Sequence, residues 1–373
     1  MNYILKNLVI LFITRNTLDG PPAGRNDLAK MLSSENDVYW LNPFSSCRER
    51  RKKRIVQVNS RLFVLDPGCL PFVYRRGDKL LSGLKDRLRL SIGRRILQDR
   101  NAAPDLILIS DFSALFPAHY YKQKGVPVLY YCNDYFGSGW NEAVEKKLAG
   151  KSDWVFVTAP KLLERFEGIN ENLHFVPHGV HAFPAESMVF TRPGRPNVIG
   201  YIGSIRNQLD YTVFERILAE TTCNIVLAGS MVDLVQSERE IWESLFNSPR
   251  VRYLGTKSRS EARDVMKQAD ILLLPYLKSV KSLHRFPLKF FEYLSVGKPV
   301  LATDFCSWKE PYRKYVQVID EEKPLSVSVE RVWDKYDKKD WRERISFARA
   351  NTWQGRVAEI GRILSSGKDR TYG

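Results

Sequence analysis

Residues 287–300, with the sequence PLKFFEYLSVGKPV, begin as a helix, end as a strand and carry two side chains suited to chemistry. Lys289 and Glu292 are three residues apart, so they share one face of the helix. Pro287 fits the first turn, where its missing N–H costs nothing. Backbone N–H groups and the helix dipole favour an anion at this end. The pattern predicts that Lys289 holds a phosphate and Glu292 accepts sugar hydroxyls; the alternative is a surface ion pair between them.

A glycine turn earlier in the chain offers a second phosphate contact. Gly203 ends a predicted strand and precedes a helix, so its backbone can approach a diphosphate closely. Arg206 follows three residues later and can pair with two phosphate oxygens at once. The alternative is that Gly200 and Gly203 only relieve crowding in the strand.

Two common phosphate-binding devices are absent from the sequence. It contains neither G-x-x-x-x-G-K-[ST], the ATPase P-loop, nor D-x-D, which would hold a metal on a diphosphate. We therefore expect no metal and no cofactor, with the phosphates neutralised by Arg206, Lys289 and a helix N-terminus. The five cysteines lie at irregular spacings that fit neither a zinc site nor a disulfide framework, which indicates a reducing cytosol.

The elements that must position these residues alternate between short apolar runs and helix-like segments. Continuous apolar runs are typical of parallel strands that are covered on both faces. Two such series, separated by a proline-rich linker at 182–196, predict two doubly wound domains. The predicted strands are Leu8–Ile13, Val38–Leu41, Asp105–Ser110, Val126–Tyr131 and Trp154–Thr158, then Asn197–Gly203, Asn224–Ala228, Asp270–Leu274 and Pro299–Ala302.

Taken together, these segments resemble the sugar-nucleotide-dependent GT-B glycosyltransferases. The bacterial exopolysaccharide and teichuronic-acid group is the nearest in pattern, and the xanthan glucuronosyltransferase is similar to it. The matching segments are 176–180, 198–206, 251–255, 269–276, 287–300 and 352–353. The resemblance implies an α/β fold of GT-B architecture, with two Rossmann-like domains facing across a cleft. It divides the chain into an acceptor domain (1–185), a nucleotide-sugar domain (186–352) and a C-terminal helix crossing back (353–373).

The resemblance also implies roles for individual residues. Glu292 would hold the ribose hydroxyls and Lys289 would reach the diphosphate. Retaining members of the wider fold often carry E-x7-E, but here His284 stands eight residues before Glu292. The missing carboxylate favours an inverting mechanism, and His284 either contacts the donor or is a solvated loop histidine. The implied donor-site residues are Gly203, Ser204, Arg206, Tyr276, His284, Pro287, Lys289 and Glu292.

An inverting mechanism needs a base that deprotonates the acceptor hydroxyl. Asp134 is the first candidate, because it follows a predicted strand of the first domain and resembles the aspartate of inverting exopolysaccharide enzymes. Its alternative role is that of a turn residue, since its neighbours also favour turns. Asp111 follows another strand and is the second choice. Arg25, beside a glycine-containing loop, is expected to touch acceptor or donor.

The net charge of +16 is concentrated in residues 48–100, which hold 16 basic and 5 acidic side chains. Within them, residues 78–98 place six apolar side chains at helical spacing among basic ones. Such a helix can lie on an anionic bilayer, so we expect membrane contact through 48–100; the alternative is a helix packed on its own sheet. The six apolar positions are Leu80, Leu81, Leu84, Leu88, Ile92 and Ile96.

The expected location is the cytoplasm, peripherally on the inner face of the cell membrane. The longest strongly apolar run, Leu8–Ile13, is too short to span a bilayer, and the first residues lack a cleavable signal site.

The predicted activity is sugar transfer from a nucleotide-diphosphate sugar to a glycan, most plausibly one linked to a polyprenyl-diphosphate lipid. A nucleotide-sugar 2-epimerase on the same scaffold is an alternative that five scattered histidines support poorly. A basic binding protein without catalysis is a third. Nucleic acid is not an expected partner, because aromatic residues do not interleave with the basic run as stacking requires.

Overall fold

The computed structural model describes residues 5–19, 24–45, 54–69, 82–181, 189–306 and 308–366. The chain forms two compact units: unit 1 is Met1–His178 with Trp353–Gly373, and unit 2 is Gly179–Thr352. The predicted domain boundary after residue 185 lies outside the described residues. The units divide instead at 178/179, and the Val180 N–H donates to the Asn351 carbonyl 3.0 Å away, which ties the two ends of unit 2 together.

In the described part of unit 1, eight strands form one sheet in the order β3-β4-β2-β1-β5-β6-β7-β8. All neighbours pair in parallel except β3 with β4. The strands are β1 (Val9–Thr14), β2 (Asp37–Leu41), β3 (Ile55–Gln57), β4 (Leu62–Leu65), β5 (Leu106–Ser110), β6 (Val128–Cys132), β7 (Trp154–Val157) and β8 (Leu173–Phe175). The helices are α1 (Gly24–Leu32), α2 (Ser82–Gln98), α3 (Leu115–Gln123), α4 (Trp140–Lys151), α5 (Pro160–Phe166) and α13 (Trp353–Ser366).

In the described part of unit 2, six parallel strands follow the order β11-β10-β9-β12-β13-β14. The strands are β9 (Val198–Ile202), β10 (Asn224–Ala228), β11 (Val251–Tyr253), β12 (Ile271–Leu274), β13 (Val300–Ala302) and β14 (Val316–Val318). The helices are α6 (Tyr211–Glu220), α7 (Gln236–Phe246), α8 (Arg259–Gln268), α9 (Val280–Leu283), α10 (Leu288–Ser295), α11 (Leu325–Asp334) and α12 (Lys338–Ala350).

The predicted α/β class with doubly wound parallel sheets is confirmed. Strands such as β5 and β6 are buried along their whole length, which is why their sequences are continuous apolar runs. Predicted ends shift by one or two residues, and Pro287 is the residue before α10 instead of part of its first turn. The short strands β3 and β4 were not predicted, because β3 is only three residues long and largely exposed.

Helix α2 forms, but its apolar positions do not all lie on one face: Leu84 and Leu88 are 64% and 42% exposed, whereas Ile96 is buried. The spacing did not reveal this division, because two charged side chains lie on the buried side of the helix. The buried positions are Asp86, Arg89, Leu90, Gly93, Ile96 and Leu97; Leu80 and Leu81 lie outside the described residues. Over the residues that the structure describes, none of the helices has the length and apolarity needed to cross a bilayer.

Candidate functional sites in the two units

In unit 2, Lys289 lies directly across Gly203 at the end of β9. A Cβ atom added to Gly203 would stand 2.0 Å from Lys289 Cε and 2.1 Å from Nζ. Any other residue at position 203 would therefore displace the lysine. The ammonium also lies 5.8 Å from the centre of the Tyr201 ring. The structure thus brings together the two predicted phosphate contacts, the glycine turn and the lysine of α10.

Burial and one nearby carboxylate set the electrostatic surroundings of the Lys289 ammonium. Burial lowers the pKa of Lys289, and the Glu292 carboxylate one turn later opposes that shift. Within the described residues no ion pair joins the two side chains. A partly buried cation beside a glycine turn is suited to an anionic ligand, because the anion would offset the cost of desolvating the ammonium.

Arg206 and Ser204 lie on the turn that follows β9. Arg206 Nη1 donates to Asp233 Oδ2 at 2.5 Å, and 71% of the Asp233 side chain is exposed. The Tyr201 hydroxyl donates to the Ser204 carbonyl at 2.9 Å, which fixes the backbone of the turn. Exposed ion pairs contribute little stability. Arg206 can therefore exchange Asp233 for a phosphate at small cost.

Three further residues with predicted or possible donor contacts precede α10 in the chain: Tyr276, His284 and Arg285. Burial raises the pKa of Tyr276 to about 12, while the nearby Arg285 guanidinium opposes the rise. Arg285 also donates to Gln208 Oε1. His284 Nδ1 lies 2.7 Å from the Val280 carbonyl oxygen. Because a carbonyl oxygen can only accept, Nδ1 is the donor in this hydrogen bond, and Nε2 takes no part in it. Sequence analysis did not name Arg285. Its position two residues before Pro287, next to the predicted phosphate-binding helix, would have suggested it as a further phosphate contact.

In unit 1, Gly24, the first residue of α1, packs closely against the His178 side chain. A Cβ on Gly24 would stand 2.3 Å from His178 Nδ1, and the Tyr131 hydroxyl is 3.4 Å from the same atom. Burial, together with the nearby charges of Arg356 and Arg25, lowers the pKa of His178 to about 4. The imidazole is therefore neutral at pH 7 and supports the start of α1 by packing.

Arg25 and Asp134, predicted from distant segments, influence each other electrostatically. Burial lowers the pKa of Arg25, and the Asp134 charge opposes that shift. Arg25 Nε is buried and has no hydrogen-bond partner among the described residues. Asp134 Oδ1 accepts the Tyr135 N–H at 2.9 Å, a turn contact. Both predicted roles of Asp134, as a turn residue and as a base, are compatible with this geometry.

Asp111, the second candidate base, is enclosed by donors. Its carboxylate lies 3.3 Å from Arg89 Nη1 and 3.8 Å from Arg15 Nε, and it accepts the Ser113 hydroxyl at 2.7 Å. Arg89 is itself buried and donates to the Leu41 and Asn42 carbonyls. Asp111 and Arg89 together therefore tie the carboxyl ends of β2 and β5.

Over the described ranges, no group of three or more His, Cys, Asp or Glu side chains is arranged to hold a metal ion.

One family match lies within unit 2. Residues 196–325 match the family described as "Glycosyl transferases group 1". Over 194 residues, 49% of this chain, the sequence is 28% identical to TuaH of Bacillus subtilis (strain 168), which is provisionally named a teichuronic acid biosynthesis glycosyltransferase. The match spans about half, 48%, of that relative's length.

Solved structures share the fold over almost the whole chain. The lipopolysaccharide outer core galactosyltransferase WaaB superposes with a TM-score of 0.67 at 15% identity, covering 96% of this chain and 99% of that one. The catalytic domain of starch synthase IV from Arabidopsis thaliana, bound to ADP and acarbose, gives a TM-score of 0.63 at 14% identity and covers 98% and 100%. The chain therefore has the GT-B fold of these solved glycosyltransferases, and its residues 196–325 are similar to the glycosyl transferases group 1 family.

Proposed function

We propose that this protein transfers a sugar from a nucleotide-diphosphate sugar to a glycan acceptor in bacterial surface-polysaccharide synthesis, with inversion at the transferred carbon. The observation that carries the proposal is the crossing of Lys289 over Gly203. It lies inside residues 196–325, the range that matches the glycosyltransferase family. The crossing presents the Lys289 ammonium next to a backbone turn, which suits a diphosphate.

The donor is held by α10 and the turn after β9. Lys289 and Arg206 bind the diphosphate oxygens, and Glu292 accepts hydrogen bonds from the ribose hydroxyls. Tyr276, His284 and Arg285 are near the same end of α10 and contact the sugar or the phosphates. During transfer, the positive charges of Lys289 and Arg206 stabilise the negative charge that develops on the leaving phosphate oxygen.

Asp134 acts as the base. As the acceptor oxygen attacks the anomeric carbon, its proton passes to the Asp134 carboxylate. The bond from the anomeric carbon to the phosphate oxygen breaks, and its electron pair leaves with the nucleoside diphosphate. Asp134 is favoured over Asp111 because two guanidinium groups and a hydroxyl already contact the Asp111 carboxylate, which leaves it little access to an acceptor.

Replacing Glu292 tests the donor site directly. We expect Glu292→Ala to weaken UDP, GDP or ADP binding, whichever nucleotide the parent protein prefers, by about 1–3 kcal/mol, because a hydrogen bond to a charged group is lost. Titration calorimetry after a thermal-shift screen of the three nucleotides measures the change. Glu330→Ala, on the exposed side of α11, is the control. Equal affinity for the parent and a folded Glu292→Ala protein would remove the ribose role.

Metal independence is part of the same proposal. Because Arg206, Lys289 and the α10 N-terminus supply positive charge, we expect turnover to be unchanged in excess EDTA. Donor hydrolysis and transfer are followed by release of the nucleotide with and without the chelator. Loss of activity that Mg²⁺ or Mn²⁺ restores would show that another device neutralises the diphosphate.

The acceptor is proposed to be linked to a polyprenyl-diphosphate lipid, with the protein held peripherally on the inner face of the membrane. The exposed side of α2 supports this, because it carries Leu84 and Leu88 next to Arg87 and Arg95. Apolar side chains flanked by cations suit the interface of an anionic bilayer. The basic residues 48–53 of the same region lie outside the described residues.

Vesicle binding distinguishes this proposal from a solvated helix face. We expect Leu84→Ser with Leu88→Ser to reduce retention on phosphatidylglycerol vesicles while leaving nucleotide affinity unchanged, because about 0.8 kcal/mol is lost for each CH₂ no longer buried in the membrane. Co-sedimentation measures it. Val235→Ser with Ile241→Ser removes a comparable exposed apolar pair from unit 2 and is the control. Unaltered retention of the α2 variant would overturn the assignment.

A further inference from the structure

Glu145 on α4 is a carboxylate with no exposure to solvent, and it is saturated with donors. It accepts the Tyr130 hydroxyl at 2.5 Å, the Cys132 thiol at 3.3 Å and Arg165 Nε at 2.8 Å. Burying a carboxylate is costly unless it is paired and fully hydrogen-bonded. A buried charge of this kind, on a helix outside the proposed donor site, calls for an explanation.

The contacts of Arg165 lead to the segment that carries Asp134. Its Nη2 donates to the Gly137 carbonyl at 2.7 Å, and its guanidinium lies 5.1 Å from the centre of the Tyr135 ring. The Cys132 thiol lies 3.4 Å from the Asp134 carbonyl. The Glu145 network therefore contacts three positions of the loop 133–139, at 134, 135 and 137.

The 133–139 loop needs contacts that restrict it, because its two glycines allow several backbone conformations. Gly137 and Gly139 have φ values of +97° and +65°, conformations that glycine reaches without strain. A loop with two such residues samples many conformations unless contacts restrict it. A general base must stay within hydrogen-bond reach of its proton, and a misplacement of about 1 Å can cost about 10²-fold in rate.

We propose that Glu145 and Arg165 are positioning residues that hold the 133–139 loop so that the Asp134 carboxylate keeps one direction. Glu145 fixes the guanidinium with one oxygen, Oε2, which accepts from Arg165 Nε at 2.8 Å and lies 2.7 Å from Nη2 in an ion pair. Arg165 then holds the Gly137 carbonyl and covers the Tyr135 ring. The inference rests on the proposed role of Asp134 as base, and neither positioning residue touches the substrate.

A double-mutant cycle tests it. We expect Arg165→Lys, which keeps the charge but loses the forked contact, to lower turnover by about 10–100-fold with unchanged nucleotide affinity. In an Asp134→Asn background the same change should lower turnover by less than about 2-fold. The position of residue 134 affects the rate only when its side chain can accept the proton. Lys161→Met, which removes an exposed ion pair from the same helix, should leave turnover unchanged in both backgrounds.

The outcomes are separable. An equal loss from Arg165→Lys in both backgrounds would make the network a general stability element and overturn the inference. Near-normal turnover of Asp134→Asn alone would instead refute the proposed base.

A milder variant covers the case in which Arg165→Lys fails to fold. Asn141 Nδ2 donates to the Phe136 carbonyl at 2.8 Å, an independent tether of the same loop from a half-buried position. Asn141→Ala should lower turnover several-fold, again only when Asp134 is present. Full turnover of a folded Asn141→Ala protein would overturn the view that loop tethering limits the reaction.

Discussion

Asp134→Asn is expected to lower turnover by about 10²–10⁴-fold while nucleotide affinity stays near that of the parent protein. The substitution keeps the size of the side chain and removes the proton acceptor. Nucleotide affinity should persist because the proposed donor contacts are all in unit 2, whereas Asp134 follows β6 of unit 1. Single-turnover assays with saturating donor separate the chemical step from binding.

Two comparisons make this result decisive. Asp111→Asn should act mainly on stability, because it leaves the buried Arg89 without its carboxylate, and it should lower the melting temperature. Near-normal turnover of Asp134→Asn would leave Asp134 as a turn residue. Proton NMR of the product gives the anomeric configuration, and retention of the donor configuration would overturn the single displacement even if Asp134 proved essential.

Lys289→Met is expected to raise the dissociation constant for the preferred nucleoside diphosphate by about 10–150-fold, since a charged hydrogen bond is worth about 1.5–3 kcal/mol. The loss should be much smaller for the nucleoside, which lacks phosphates. Lys278→Met removes an exposed lysine that pairs with Asp304 and should not change either affinity. A similar loss for nucleoside and diphosphate would show that Lys289 supports the pocket without contacting phosphate.

The same lysine gives the affinity a pH dependence of known sign. Burial lowers the pKa of Lys289, so its ammonium loses its proton at a lower pH than an exposed lysine does. The bound diphosphate favours the protonated form. Affinity should therefore be constant at lower pH and fall as the pH rises through the lowered pKa, and Lys289→Met should abolish that fall. A fall of the same size in the variant would assign it to another group.

Much of the architecture was predictable because its signals are local. Apolar runs such as those of β5 and β6 predict parallel strands from a few consecutive residues, and the spacing of Lys289 and Glu292 follows from the pitch of one helix. The GT-B architecture was predicted from the resemblance of several segments to that group of enzymes, and it is confirmed. Helix α2 shows the limit of this approach, since the spacing of its apolar residues does not reveal that Leu84 and Leu88 are exposed while the charged Asp86 and Arg89 are buried.

The sequence alone determined most of the buried strands, the fold class and the pairing of functional residue types along α10. The tertiary structure decided which residues far apart in the chain meet: Lys289 over Gly203, Arg89 with Asp111, and Arg165 with the backbone of the 133–139 loop. The physical reason is that secondary structure follows from contacts within a few residues, whereas a buried charge takes whichever partner the fold brings within hydrogen-bond distance. Periodicity carries no information about that partner.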